Sequence, residues 1–377
     1  MKTPILSVTE ALVALQGRLK IDLPQRERLL PASELLSKRA ILWVGPQGTG
    51  KTTYVLSLLK QLPGQFFHVS LKNPLMAGVS LFELGDWVFR NGYDVLVCDE
   101  VQYDPAYFQA LKALYEAHGH SKIWALTHSV PNSAEPFWVQ KFSYLSFRES
   151  MWLKKGVLLP EISYNELVTG DLVVAQNEIN QYFWGEGRHV QEEFQNYLKV
   201  GMRPFFEESN WVDIPVCQPT HFNLMRHIIG YLALSETPSI KIESLSLQWG
   251  VSKLTAYNLL QLLENIGLIN ILRYEGAHQE HSKGAQIFFS DPSLYAALGG
   301  FLGHVQQAFF VMQLRNIGQN PVCPKDNNSY DYRVGSHTFE INSSQKAKKA
   351  DFWIREDIEA PSKQEIPLWL LGFLKTG

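Results

Sequence analysis

The stretch Gly45-Pro46-Gln47-Gly48-Thr49-Gly50-Lys51-Thr52 fits the pattern G-x-x-x-x-G-K-[ST] in full, and its flanks restrict what the chain around it can become. Upstream, Ala40–Val44 is an unbroken apolar run that reads as a buried strand. Downstream, Tyr54, Val55, Leu58, Leu59 and Leu62 recur at helical spacing. A strand must therefore deliver the loop, and a helix must begin where it ends. Glycines at 45, 48 and 50 permit positive φ and leave no Cβ in the way, so backbone N–H groups can turn inward on phosphate oxygens at the positive end of a helix dipole. The expected phosphate cradle is Gly45, Pro46, Gln47, Gly48, Thr49, Gly50, Lys51, Thr52 and Thr53. In it Lys51 reaches the terminal phosphates of a nucleotide such as ATP, and the Thr52 hydroxyl ligates Mg²⁺.

A second element is expected on a neighbouring strand. Tyr93-Asp94-Val95-Leu96-Val97-Cys98-Asp99-Glu100 is an apolar run ending in adjacent acids, which a parallel sheet would present at its carboxyl edge. There Asp99 would hold the Mg²⁺ shell, and Glu100 would polarise the attacking water. Residues 122–126 read as a further buried strand, and a polar residue at its tip would lie between loop and acids. Thr127 is the candidate to orient the water, with Ser129 second, while His128 reads as a surface loop histidine.

With 377 residues, the chain has room for more than one domain. Strand and helix alternation to about residue 150 (a strand at 66–71, helices at 81–90 and 106–117) predicts a parallel sheet with helices on both faces. The lead-in, 1–39, reads as mainly helical, with Arg26, Arg28, Lys38 and Arg39 on solvated faces. Residues 151–215 are helical and aromatic, as for a small lid whose aromatic stripe is core. Within 216–300, helices at 242–249 and 253–266, the Gly250 turn and strands near 270–274 and 286–289 read as a winged helix-turn-helix. In that module Arg226, Lys241, Lys253, Arg273 and Lys283 are matched one for one by Glu236, Glu243, Glu264, Glu275 and Glu280. It lacks the basic footprint of non-specific DNA binding, so protein packing and DNA contact both stay open.

The net charge of −3 implies no overall affinity for nucleic acid or membranes. Cys98, Cys217 and Cys323 have no metal-ligand spacing and suggest a reducing compartment. No stretch approaches a membrane helix, and residues 1–20 lack a secretory core, so a cytoplasmic protein is expected.

Together, the loop, the Asp99-Glu100-Val101-Gln102 element, Leu145-Ser146-Phe147-Arg148-Glu149, the run at 194–205, Phe289-Ser290-Asp291-Pro292-Ser293-Leu294 and the tail at 366–374 resemble prokaryotic AAA+ ATPases abundant in archaea. The resemblance covers nearly the whole chain. It implies a P-loop domain (1–150), a helical lid (151–215), a winged helix (216–300) and a small α+β restriction-endonuclease-like domain (301–377). It also implies ATP hydrolysis that drives a conformational switch, with an ATP-dependent DNA-binding regulator or genome-defence component as the alternative and an active nuclease third. An unidentified protein partner and an oligomer are compatible with it. The sequence departs from the group in three places. Gln47 stands where Arg is frequent, His128 stands where Gly is usual, and no Gly-Arg pair follows the strand at 122–126. Arg148 and Arg203 are left as candidates for a charge reaching ATP, with a structural salt bridge the ordinary role for each. In the C-terminal segment Asp331 and Glu340 match two nuclease acids. Asn342 stands at the lysine position and Gln306 and Gln307 where an acid is wanted, so an inactive remnant is expected. Lys346, Lys348 and Lys349 form a basic cluster there, expected to be a solvated loop.

Overall fold

The computed structural model describes residues 24–129, 131, 133–187, 189–200, 219–236, 239, 242–274, 285–324, 330–341 and 350–375. The expectations on residues 1–23, Arg203, Cys217, Lys241, Glu275, Glu280, Lys283, Asn342 and the lysines at 346, 348 and 349 lie outside these. The described residues fall into two compact units, the first ending at Ser143 and the second beginning at Tyr144.

The first unit is built on a sheet of parallel strands, β1 (Ala40–Val44), β2 (Phe66–Ser70), β3 (Val95–Asp99), β4 (Lys122–Thr127) and β5 (Trp138–Lys141), in the order β2-β3-β4-β1-β5. Strands β1 and β3 are buried along their whole length, as the unbroken apolar runs require when helices cover both faces. Alternate residues divide between those faces. Ala40, Leu42, Leu96, Cys98, Ile123 and Ala125 pack with α3 (Leu81–Arg90) and α4 (Tyr107–Ala117). Ile41, Trp43, Val95, Val97, Trp124 and Leu126 pack with α1 (Ala32–Ser37) and α2 (Lys51–Leu59). Gly85 lets α3 approach closely, since a Cβ there would lie 2.3 Å from Leu114 Cδ1.

Register decides what the sheet presents at its edge. Val44 lies opposite Thr127 and Lys141, and Ser70 opposite Asp99, so the strands finish level with one another. The chain leaves β1 toward β2, across β4 and β3, whereas it leaves β4 toward β5 on the far side of β1. The carboxyl edge between β1 and β4 is thus where connections diverge, the place where an open α/β sheet leaves a crevice.

The reading of the N-terminal bases as solvated is corrected at two positions. Arg39 lies over the Tyr115 ring (3.7 Å to its centre) and donates to the carbonyls of Tyr115, His118 (2.8 Å) and Ser121 (3.2 Å). Arg28 donates to the carbonyls of Thr49 (2.9 Å) and Ser143 (3.1 Å) and stands over the Phe142 ring. A guanidinium can bridge several carbonyls at once, so these bases tie loop ends together where sequence suggests only surface charge.

The second unit begins with α5 (Phe147–Lys155), α6 (Tyr164–Thr169), α7 (Val173–Gly185) and α8 (Val190–Val200). Capping boxes start α5 and α6, with Ser146 paired to Glu149 and Ser163 to Glu166. The aromatic stripe is core, with Phe147 against Phe183, Phe194, Tyr197 and Phe373, and Phe194 against Phe309. Trp184, on the other side of α7, is 63% exposed. There follow α9 (Pro219–Leu234), α10 (Ile242–Trp249), α11 (Lys253–Asn265) and an antiparallel pair, β6 (Ile269–Leu272) with β7 (Gln286–Phe289). After α12 (Ser293–Ala297), α13 (Val305–Asn316) precedes a sheet of β8 (Tyr332–Val334), β9 (His337–Ile341), β10 (Phe352–Arg355) and β11 (Glu365–Pro367). Its order is β11-β10-β9-β8, parallel except for the β8–β9 hairpin. Cys98 and Cys323 are buried free thiols. Among the described residues no helix is long and apolar enough to cross a membrane.

Candidate nucleotide site

The stretch 45–53 runs from the end of β1 into the start of α2. Gly48 (φ 78°) and Gly50 (φ 88°) are left-handed, as expected. Gly45 is not, and its small size serves another end. A Cβ there would lie 2.2 Å from the Phe142 carbonyl oxygen, so this glycine lets the loop's root pack against the chain leaving β5. Pro46 accepts from the Thr49 hydroxyl (2.8 Å), which closes the loop on itself. Gln47 and Thr53 are half-buried, and Gly48 is exposed at the tip. Helix α2 opens at Gly50 with no side chain capping its first turn, and no acid lies in that turn. Its leading amides and dipole thus face outward at positive potential.

Lys51 is buried and folded back on the loop, donating to the carbonyls of Gly45 (2.8 Å) and Pro46 (2.9 Å). Burial pulls its pKa from the ordinary 10.5 to about 8, against the opposing pull of Glu100 and Asp99. The Thr52 hydroxyl donates to Asp99 Oδ2 at 2.7 Å, joining the loop to the end of β3. Asp99 Oδ1 accepts the Glu100 N–H (2.9 Å), and His68 on β2 comes within 3.6 Å of Oδ2. Thr127, at the tip of β4 between β1 and β3, is buried and accepts the Gly45 N–H on its carbonyl (3.2 Å). Its hydroxyl is buried without a hydrogen-bond partner among the described residues. Ser129 is exposed.

Two features here are invisible in the sequence. Glu100 sits in the left-handed region (φ 52°, ψ 46°), the only non-glycine to do so among the described residues. His128 is no surface residue. Its side chain is 10% exposed, and Nε2 lies 3.1 Å from Glu100 Oε2. Gln102 Nε2 donates to the same oxygen. Burial pushes the Glu100 carboxyl upward, but the His128 hydrogen bond and charge, the Lys51 charge and the Gln102 amide outweigh it and hold it near 2. The signal that would have exposed His128 is its place one residue past Thr127 on the strand beside β3, but the sequence does not print lateral strand order.

The donor set suits the implied groups. Thr52 and Asp99 offer hard oxygens in contact, and a magnesium ion takes only one or two protein ligands and completes its shell from water and phosphate. Among the described residues there is no group of three or more His, Cys, Asp or Glu side chains placed to hold a metal ion.

Elsewhere the candidate charges are engaged. Arg148 donates to Glu161 (2.8 Å) and the Leu159 carbonyl (2.6 Å), a structural role. Lys253 on α11 is paired with Glu243 (2.8 Å), while Leu247 and Leu254 beside it are 84% and 68% exposed. In the C-terminal sheet Glu340 is fully buried and accepts from Trp353 Nε1 (3.0 Å), and Asp331 accepts from the Ile341 N–H (2.8 Å). Gln306 donates to Glu356.

Residues 37–135 match the family model described as an AAA domain, and the parallel sheet with helices on both faces fits a P-loop fold. No curated protein matches the chain. Among solved structures, a Walker-type ATPase of Pyrococcus abyssi is 12% identical, with 71% of this chain and 93% of that one covered at a TM-score of 0.39. A structure on katanin self-assembly is 17% identical (36% and 55% covered, TM-score 0.24). PCH-2 of C. elegans is 13% identical (62% and 62% covered, TM-score 0.24). The chain thus spans under two thirds of katanin and of PCH-2, and likenesses this distant carry no argument about its activity.

Proposed function

We propose that this protein binds MgATP at residues 45–53 and hydrolyses it, using turnover to switch conformation. The observation that carries the reading is the 2.7 Å contact of Thr52 with Asp99 beside the buried Lys51 and the uncapped start of α2. In this reading the amides of Gly48 to Thr53 and the Lys51 ammonium hold the triphosphate, and Thr52 and Asp99 hold Mg²⁺. The ion, when bound, neutralises charge on the phosphate oxygens. Glu100 accepts a hydrogen bond from the attacking water and orients it, and Thr127 lines the same edge. The water oxygen bonds to the γ-phosphorus as the bridge to the β-phosphate oxygen breaks, and the water's proton leaves with inorganic phosphate. A carboxyl held near 2 is a weak base but a good fixed acceptor, which suffices for a transition state that needs little early proton transfer.

The test is Glu100→Gln. It keeps ATP binding and loses most turnover, whereas a wild-type hydrolysis rate in this variant would remove Glu100 from the mechanism.

The rest of the chain we read as a helical lid, a winged helix and an inactive nuclease-like domain. The helix, helix, β-pair succession from α10 to β7 supports the second. The engagement of Asp331 and Gln306 by neighbouring groups supports inactivity of the third, while Glu340 has one oxygen bonded to Trp353 and one buried without a partner. The Lys253–Glu243 pair and the exposed leucines next to it favour a protein over DNA as the winged helix's partner.

A further inference from the structure

The turn after β3 concentrates two unfavourable features on two residues, Glu100 and Gln102. Glu100 adopts a left-handed backbone, which for a residue with a Cβ costs about 1–2 kcal/mol. Gln102 Oε1 is buried without a hydrogen bond, where a buried acceptor ordinarily finds one. Both follow from one arrangement. The left-handed turn brings the Glu100 carboxylate toward the tip of β4, and the Gln102 amide must present its nitrogen, not its oxygen, to that carboxylate. His128 completes the arrangement from the neighbouring strand, with Nε2 3.1 Å from Glu100 Oε2 and 3.5 Å from Gln102 Nε2. Both partners engage Oε2. Oε1 has no protein partner among the described residues, and the side chain is 20% exposed. One oxygen is fixed and the other is open to water.

We propose that His128 and Gln102 are positioning residues that clamp Oε2 of Glu100 so that Oε1 is held where the attacking water must be oriented. The proposal rests on the ATPase reading above. It explains why strain is tolerated at this turn: a freely rotating glutamate would sample several rotamers and hold the water in few of them, whereas a clamped one is already aligned.

The experiment compares wild type with His128→Ala, His128→Gln, Gln102→Ala and Glu100→Gln. It measures ATP affinity by anisotropy of a fluorescent ATP, kcat and KM with Mg²⁺ and ATP, and hydrogen exchange of residues 99–104 without nucleotide. His128→Ala and Gln102→Ala should each lower kcat about 10–100-fold, the scale on which misplacing a reacting group acts, while KM and ATP affinity stay within about 3-fold. Exchange at the Tyr103 amide, which bonds to the Glu100 carbonyl at 3.2 Å, should quicken in His128→Ala. His128→Gln, whose amide reaches the same oxygen, should recover most of both. Wild-type or faster turnover in the two alanine variants would overturn the proposal, as would a loss of ATP affinity in step with kcat, the mark of a structural role. If Glu100→Gln itself hydrolyses normally, the ATPase assignment of Glu100 fails first and the clamp falls with it. If Glu100→Gln is inactive and the clamp variants are not, the clamp alone fails.

Discussion

Replacing Lys51 with methionine should abolish the response to ATP and remove an alkaline rise in the stability of the nucleotide-free protein. The ammonium is buried, with its pKa brought from 10.5 to about 8. At neutral pH it stays protonated in the folded and unfolded chain alike, so the distance between those values corresponds to about 3 kcal/mol of folding free energy forfeited to keep the charge in place. Methionine removes that penalty and loses the ammonium's hydrogen bonds to Gly45 and Pro46, worth about 1.5–3 kcal/mol each, so at neutral pH gain and loss largely offset one another. The pH dependence is the sharper test. Between pH 8 and 10.5 the unfolded chain holds the Lys51 proton and the folded one does not, so wild-type stability rises across that window, and the penalty is fully present below it. Lys51→Met lacks this rise. The stability difference between the two proteins should therefore shift by about 3 kcal/mol toward wild type from pH 7 to pH 10.5, with other titrations cancelling. Denaturant unfolding followed through amide exchange of β1 and β4 reads this directly. Parallel pH curves, with the variant less stable throughout, would refute the placement of a strained cation in the loop.

Arg28→Ala should raise the KM for ATP about 5–10-fold and lower stability by about 1–2 kcal/mol, since it removes the bonds that hold Thr49 and Ser143; steady-state kinetics and thermal unfolding check both. Gly45→Ala and Gly50→Ala should differ in kind. The former drives a Cβ into the Phe142 backbone and should cost more than about 2 kcal/mol, whereas the latter meets nothing within 4 Å and should cost about 1 kcal/mol, for its φ of 88° alone. Equal losses in denaturant titrations of the two would contradict the division of labour between these glycines.

The elements that the sequence made legible are those set by local pattern. An all-apolar run of strand length must be buried on both faces, and β1, β3 and β4 are. The helix read at 81–90 is α3, Leu81–Arg90, which the structure shows to start from a Ser80 cap. The loop and its two acids were readable because their chemistry demands a fixed spacing. His128, Arg28 and the close approach at Gly45 were not, because each depends on a neighbour distant in the chain: Glu100 on another strand, the Thr49 and Ser143 carbonyls, and the backbone of Phe142. A histidine after a strand or an arginine before one has the same local appearance whether it meets solvent or a carboxylate. Glycine is doubly ambiguous, since lack of a side chain serves both rotation and proximity.

The place of β1 in the sheet has a consequence for how the chain acquires its binding loop during synthesis. Among the described residues strand β1 pairs only with β4 and β5, through registers that join Val44 to Thr127 and to Lys141. While the ribosome is making the intervening residues, the most apolar strand of the sheet has no hydrogen-bonding neighbour, and ordering it early would mean closing a large loop for little return. The phosphate cradle at its end therefore takes shape only after β4 has emerged, and a nascent chain shorter than that exposes Ile41, Leu42 and Trp43 to whatever chaperone is at hand.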